Sequence, residues 1–427
     1  MTSQGDRRGA SLRARTDRLD AVLLHPVLGP LTFVLLMTAL FAAVFLVADP
    51  ASSVLEGGAR WLGARVQNLL GRNVFSSFLV DGVLGGAGTV LAFLPQIVIL
   101  TVAMELLDAS GYLARGVFLV DRLLRGVGLG GKAFVPMLTA HACAVPAIAA
   151  TRILRDPKER LTAILVLPLM TCSARIPTYG LLIAAFLSSS GPIAQALVFV
   201  GLYAAGIAAG MIASIALRRT VTRGRALPLA IEMPAYRAPE AKAVARAGVN
   251  AALRFLRDVG TTIVASSAVL WVLLSVPMPG VSAAPGAPAI ERSVAASVGR
   301  AMEPVTRVAG FDWRINVGLI GSFGARELMV GTLGVIHGLE GAEDDPGPLA
   351  ARLRAARGPG GRPAYGVPTA LALMAFFVLA CQCVSTVAAI RRETRSWRWA
   401  LFTLGYTYAA GAVVAVLVYQ VARALGA

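Results

Sequence analysis

Charge is what this sequence has least of for its size: 15% of its 427 residues are charged, against 56% hydrophobic. A soluble chain this long needs far more charge to cover its surface, so a soluble globular protein is excluded. Cysteine is nearly as scarce. The four present (Cys143, Cys172, Cys381 and Cys383) all lie in apolar segments, so a disulfide framework is excluded as well. Acidic residues are the scarcer sign, 23 against 40 Lys and Arg, for a net charge of +17. No basic run is interleaved with stacking aromatics, so that excess does not point to nucleic acid. No nucleophile, base and orienting group occur together, nor H-E-x-x-H, nor a paired C-x-x-C, and nothing argues for an enzyme.

What is present is a series of apolar runs, several near the twenty residues that cross a bilayer. They fall at about 28–48, 83–107, 133–150, 161–187, 192–217, 259–277, 314–337, 367–389 and 399–423. The arginines sit between them, in RRGASLRAR (7–15), RILRDPKER (152–160), RRTVTRGR (218–225) and RRETRSWR (391–398). That distribution fits the positive-inside rule and attraction to anionic lipid. The fold class expected is an all-α polytopic membrane protein of about eight hydrophobic segments. The organisation read from it is a cytoplasmic N-terminal segment at 1–27, a first transmembrane half at 28–217, a cytoplasmic loop and amphipathic helix at 218–258, and a second half at 259–427. No cleavable signal precedes the first span, and the basic N-terminus is expected in the cytoplasm. Val54–Leu70 reads as a short amphipathic helix on the outer surface, VARAGVNAALRFLRD as an amphipathic lead into the next span, and 338–366 as an exposed loop.

Helix breakers inside the apolar runs carry more information than the runs. AFVPMLTAHACAVPA holds Pro136 and Pro146, LVLPLMTCSARIPTYG holds Pro168 and Pro177 around Arg175, and GLIGSFGARELMVGTLG sets an Arg-Glu pair among four glycines. Hydrocarbon tolerates broken helices only where they are packed in protein or line a cavity, and transporters use them at the midplane to offer backbone groups to a substrate. A faint internal echo suggests an inverted repeat with re-entrant segments. CAVPAIAATR from Cys143 resembles CVSTVAAIRR from Cys383, and CSAR (172–175) resembles FGAR (323–326).

Soft donors gather on these broken segments. Cys143, Cys172, Cys383 and His141 are candidate metal ligands, of a kind suited to Fe(II), Zn(II) or Cu(I) rather than Mg(II) or Ca(II). Against this stands the ordinary role of cysteine as a small hydrophobe, and of a histidine bonded to a carbonyl. Cys381 ranks lower, because on a helix it faces away from its neighbour at i+2. Arg175, Arg326 and Glu327 lie at membrane depth, where charge is costly, and are candidates for charge pairing or gating; a structural ion pair holding a broken helix is the alternative. Pro146 and Pro177 are candidate gating hinges.

One further stretch, GVGLGGKAF (126–134), nearly spells the phosphate loop G-x-x-x-x-G-K-[ST]. Ala133 stands where the Mg²⁺-binding hydroxyl belongs, and an amphipathic helix precedes it instead of a buried strand. It reads as a turn that leads into the segment carrying His141 and Cys143.

At LVDGVLGGAGTVLAFLPQIVIL (79–100) the sequence resembles the membrane domain of the FeoB ferrous-iron transporter family. The likeness continues through GYLARGVFLVDRLLRGVGLGGKAFVPML, CAVPAIAATRIL, LPLMTCSARIPTYGLLIAAF, EMPAYRAP, GSFGARELMVGTLG and VSTVAAIRRETRSWRWALF. The resemblance implies gate-type repeats flanking a core, and permeation of Fe(II) into the cytoplasm across a bacterial inner membrane. Fe(II) is then the transported substrate, with no permanently bound cofactor. The family's membrane cysteines map to Cys143 and Cys172. Two departures stand out: His141-Ala142-Cys143-Ala144-Val145-Pro146 replaces Gly-Cys-Asn-Val-Pro, and Asp108-Ala109 replaces Glu-Asp before Ser-Gly-Tyr. The family's GTPase domain has no counterpart ahead of TDRLDAVLLHPVLGP (16–30), so the expectation is a GTPase on another polypeptide. The other partners expected are Fe(II), the lipid bilayer and, compatibly, further copies in a homo-oligomer. Transport of Mn(II), Zn(II) or a nucleoside-like solute, or a non-transporting membrane partner of a GTPase, are the alternatives.

Overall fold

The computed structural model describes residues 16, 19–25, 27–71, 73–224, 236, 239–278, 289–339, 345–358, 361 and 363–426. The basic run at 7–15 and most of EMPAYRAP lie outside them, and so do parts of 338–366. All regular elements among the described residues are helical, and six are long and apolar enough to cross a membrane: Val74–Ala109, Pro157–Phe186, Ser188–Arg219, Ala241–Ser275, Val367–Thr394 and Trp397–Ala424. The chain is a polytopic all-α membrane protein.

The first helix, α1 (Leu28–Leu70), overturns one expectation. The segment read as a span and a separate outer helix is one rod of 43 residues that runs through Pro50. A proline removes a single intrahelical hydrogen bond, and here Ser52 Oγ binds the rod to its neighbour by donating to Ala92 O at 2.6 Å. That neighbour is α2 (Gly85–Ala109), reached through a π-helical stretch at Phe78–Leu84. After it, α3 (Tyr112–Gly126) leads by a short turn to α4 (Phe134–Ala142) and α5 (Ala144–Ala150). Then come α6 (Pro157–Val166), α7 (Ile176–Phe186) and the long α8 (Gly191–Arg219).

The second half opens with α9 (Ala241–Phe255), which passes through a π-helical turn at Leu256–Gly260 into α10 (Thr261–Ser275). It continues with α11 (Val294–Thr306), α12 (Trp313–Gly324), α13 (Leu328–Ile336) and α14 (Gly347–Ala355). The presumed exposed loop therefore contains a helix, α14, whose Leu349, Ala350 and Leu353 are buried in the same apolar cluster as Leu182 of α7. The chain ends with α15 (Val367–Leu379), α16 (Val384–Thr394) and α17 (Trp397–Ala424).

Four of these segments are broken, and three of the four prolines singled out there stand in the first turns of half-helices, while Pro168 lies in the 3-10 turn Leu167–Leu169 just before the bend at Met170. Pro136 and Pro146 occupy the first turns of α4 and α5, and Pro177 the first turn of α7, where a missing N–H costs nothing. The bend between α4 and α5 falls on Cys143, which is extended at φ −152°, ψ 133°. The matching bend between α12 and α13 starts at Ala325, at φ −150°, ψ 138°. Between α6 and α7 the chain leaves a short 3-10 turn at Met170, φ −65°, ψ 130°. Between α15 and α16 it leaves at Ala380, φ −69°, ψ 135°.

The fourth break corrects the reading of 367–389 as a clean span. It also corrects the reasoning about Cys381, which lies on the break rather than on a helix. No Pro or Gly marks the place. Tertiary bonds hold it: Arg175 Nη2 donates to Ala380 O at 3.3 Å, Arg326 Nε to Gln382 O at 3.1 Å, and Thr407 Oγ1 accepts from the Cys381 N–H at 3.3 Å.

The backbone pairs the breaks in chain order, Cys143 with Ala325 and Met170 with Ala380. The sequence echo had crossed them, matching Cys143 to Cys383 and Cys172 to the FGAR stretch. Helix packing follows the same order. Helix–helix association in lipid rests on close packing, which small residues permit. On α8, a side chain at Gly206 would meet Leu169 O at 3.1 Å, and one at Gly210 would meet Val166. On α17, Thr407 holds Cys381 and a side chain at Gly411 would meet Phe376.

The glycine-rich turn 126–134 is filled from within. Gly130 N–H donates to Glu159 Oε1 and Gly131 N–H to Asp121 Oδ1, both at 2.8 Å. Carboxylates occupy the place a phosphate would take. A Cβ on Gly131 would stand 2.7 Å from Asp121 Oδ1 and 2.9 Å from its Cβ, so Gly131→Ala is expected to cost about 1–3 kcal/mol by overpacking, read as a lower midpoint of thermal unfolding in detergent.

A neighbouring cluster ties three distant stretches together. Arg115 Nε donates to Asp20 Oδ1 at 3.0 Å and its guanidinium stacks 4.2 Å from the Tyr236 ring centre, while Tyr236 Oη donates to Asp20 Oδ1 at 2.9 Å. Burial, reinforced by that bond to Asp20, pushes the Tyr236 phenol up to about 12. At the same arginine-rich end, Arg152 and Arg160 of the first half both pair with Glu393 of the second, and Arg392 pairs with Asp258 at 3.0 Å.

Candidate functional site

All four breaks open onto one cavity of about 940 Å³, counting its mouth. The α4–α5 break contributes Cys143 and the α6–α7 break Cys172 and Ser173. The α12–α13 break contributes Arg326 and Glu327, and the α15–α16 break Cys383, Ser385 and Thr386. The remaining wall is largely apolar: Phe93, Ile97 and Leu100 from α2, with Phe255, Val259 and Ile263 along the α9–α10 rod. Gln96 is the polar group that α2 adds. Val259 lies within the π-helical turn, a distortion that recurs at functional sites in helices.

Three of the four sequence-predicted donors thus share one cavity, although they come from three different broken segments. Cys143 and Cys383 are half-buried, Cys172 is buried, and all four cysteines are free thiols. Cys381 is fully buried in the apolar cluster that contains Ile148 and Ile390, and does not line the cavity. His141 is turned elsewhere. Its Nδ1 lies 3.1 Å from Thr171 O, and its ring stacks on Tyr203 with centres 6.1 Å apart. Among the described residues, no three His, Cys, Asp or Glu side chains are grouped closely enough to enclose a metal ion in this state.

The two arginines play unlike parts. Arg175 is fully buried and lies outside the cavity lining. Its guanidinium donates to Met170 O and Pro168 O, both at 3.2 Å, and to Ala380 O. It therefore satisfies two carbonyls of the 3-10 turn that follows α6, adds a second donor to Ala380 O, which also accepts from the Gln382 N–H, and joins the α6–α7 break to the α15–α16 break. Arg326 is 3% exposed and lines the cavity. It donates through Nε to Gln382 O and through Nη1 to Cys172 Sγ at 3.2 Å. Among the described residues, neither arginine pairs with a carboxylate.

Pro146 and Pro177 stand in the first turns of α5 and α7, just past the bends. They fix where the half-helices begin. Sequence reasoning missed Gln96, Ser385 and Thr386. Ser385 and Thr386 belong to the CVSTVAAIRR stretch, but a run read as helix gives no reason to single out their hydroxyls. Ser385 Oγ is buried with no hydrogen-bond partner.

Comparison with known proteins follows the same outline. The Gate family model, described as nucleoside recognition, matches residues 90–186 and 256–397, so it covers all four breaks. A second model, the C terminus of ferrous iron transport protein B, matches 199–249. A Fe(2+) transporter FeoB of Leptospira interrogans is 37% identical over 95% of this chain and 59% of its own length. The FeoB of Staphylococcus aureus strain COL is 34% identical over 95% of this chain and 59% of its own. A Porphyromonas gingivalis protein named as a fusion of Fe(2+) transport protein A with FeoB is 34% identical over 96% of this chain and 52% of its own. The chain thus spans about half to six-tenths of the length of these relatives. No solved structure matches it.

Proposed function

This chain belongs to the Gate family and carries the FeoB-type membrane domain, and from that premise we propose that it conducts ferrous iron across a bacterial inner membrane into the cytoplasm. The observation that carries the reading is the convergence of Cys143, Cys172 and Cys383 from three broken segments on one cavity. Thiolate is a soft donor that favours Fe(II) over the hard Mg(II) and Ca(II). Broken helices bring carbonyls and helix termini to the same place, as expected of an ion site at the midplane.

The roles follow from position. Cys143 and Cys172 are the first ligands on the path and Cys383 the third, contributed by the other half. Glu327 supplies negative charge at the cavity wall, where a carboxylate attracts a divalent cation. His141 sits behind the path, placed to hand the metal on or to steady the Thr171 carbonyl. Arg175 clamps the α6–α7 and α15–α16 breaks together as one block, and Pro146 and Pro177 fix where the half-helices beside the path begin. The two halves are an inverted repeat, with the arginine-rich end and the N-terminus in the cytoplasm.

The test is uptake into liposomes holding only the purified chain and a trapped Fe(II) chelator dye, with Mn(II), Zn(II) and a nucleoside as competitors. A dye signal that rises to saturation with Fe(II) and that the nucleoside leaves unchanged is the expected result. Transport of a nucleoside without metal movement would sink the reading.

A further inference from the structure

We propose that Arg326 is a tethered stand-in for the transported cation: with no metal bound its guanidinium occupies the Cys172 sulfur, and an arriving metal must displace it. The inference rests on Cys172 being a ligand on the path.

The geometry carries the argument. Arg326 Nη1 lies 3.2 Å from Cys172 Sγ, at the cavity wall that both residues line. A metal–thiolate bond is about 2.3 Å long. A divalent ion on that sulfur would therefore stand close to a fixed positive charge, in a site with an apolar wall that screens little. The ion and the guanidinium exclude each other, and one must leave.

Arg326 differs from the buried arginine beside it. Arg175 has three carbonyl partners and a place behind the wall, which is the pattern of a clamp. Arg326 faces the cavity, holds one carbonyl and one sulfur, and leaves its Nη2 without a hydrogen-bond partner.

The arrangement also connects the halves. Nε of the same guanidinium holds Gln382 O, next to Cys383, so a guanidinium that swings away gives up one of the three tertiary bonds on the α15–α16 break, while those from Arg175 and Thr407 stay. The Gln382 amide is fully buried and neither its nitrogen nor its oxygen has a partner here, which leaves it unspent for a rearranged state. Arrival of the metal at a first-half cysteine thus loosens the backbone beside a second-half cysteine. Exchange of one cation for another keeps the charge of the cavity from rising by the full charge of the metal, and sets the affinity low enough for the ion to move on.

The experiment uses Co(II) on the purified full chain in detergent and reads the thiolate-to-cobalt charge-transfer absorption. Arg326→Gln and Arg326→Met are expected to bind Co(II) at least tenfold more tightly than the unaltered chain, and Arg326→Lys within about threefold of it. In a Cys172→Ser background, Arg326→Gln is expected to change the affinity less than threefold. Equal or weaker Co(II) binding by a monodisperse Arg326→Gln or Arg326→Met chain overturns the proposal, and so does a tenfold gain that persists without Cys172.

A measurement on the unaltered chain stands apart from folding of any variant. Modification of Arg326 by a vicinal dicarbonyl, followed by mass spectrometry, should speed up at least threefold when Co(II) is added. An unchanged or slower rate overturns the proposal. If the unaltered chain shows no charge-transfer absorption that depends on Cys172, the ligand reading fails first, and that outcome is distinct from a wrong role for Arg326.

Discussion

Fe(II) uptake by the Cys143→Ser, Cys172→Ser double variant is expected to fall to the level of protein-free liposomes. Each change replaces one sulfur by one oxygen, so the shape of the cavity is nearly kept while two of its three soft donors are lost. Removal of a residue that merely supports a metal ligand costs about 10–100-fold in metal affinity, and loss of two direct ligands exceeds that. Cys381→Ala is the control, because Cys381 is fully buried away from the cavity. Its uptake should remain within about twofold of the unaltered chain, the scale of a small-residue swap that leaves ligands in place. Uptake in an iron-starved cell, or with the trapped chelator dye, checks both. Unchanged uptake by the double variant would end the case for cysteine ligands.

The second large effect concerns folding. Arg175→Met should lower stability by about 2 kcal/mol or more, since it strands two buried carbonyls (Pro168 and Met170) and takes from Ala380 O one of its two donors, the other being the Gln382 N–H. Lysine should rescue little, because a single ammonium cannot reproduce a planar fork that serves three acceptors in different directions. The readout is the monodisperse fraction after extraction and its thermal midpoint, expected to drop by about 5 °C or more. A variant with the unaltered midpoint would show that those carbonyls find other partners, and Arg175 would lose its role as a clamp.

Much of this architecture is legible in the sequence because lipid makes backbone accounting strict. Proline at 136, 146, 168 and 177, and glycine at 318, 321 and 324, advertise three of the four breaks, and charge at 175, 326 and 327 marks where they matter. The fourth break is silent. Residues 380–383 read as helix, and only hydrogen bonds to Arg175, Arg326 and Thr407 make an extended path there affordable; those partners lie 205, 56 and 26 residues away in sequence. His141 shows the opposite limit. Its place beside Cys143 in sequence suggests a shared site, but the bend at Cys143 turns the histidine toward Thr171. The continuity of α1 through Pro50 and the helix α14 within a glycine-rich loop depend on neighbours in the same way.

The pairing of Arg152 and Arg160 with Glu393 spans 241 and 233 residues. It has a consequence for how the protein is made. The two arginines leave the ribosome long before their acid does, and throughout that interval the first half must hold its arginine-rich end open, with water and lipid phosphate as its only partners. Placement of α16 adds this clasp between the two halves. Assembly of the pathway is therefore a late event in synthesis, and a chain stopped before residue 393 would have its cysteines in the membrane without the clasp that aligns them.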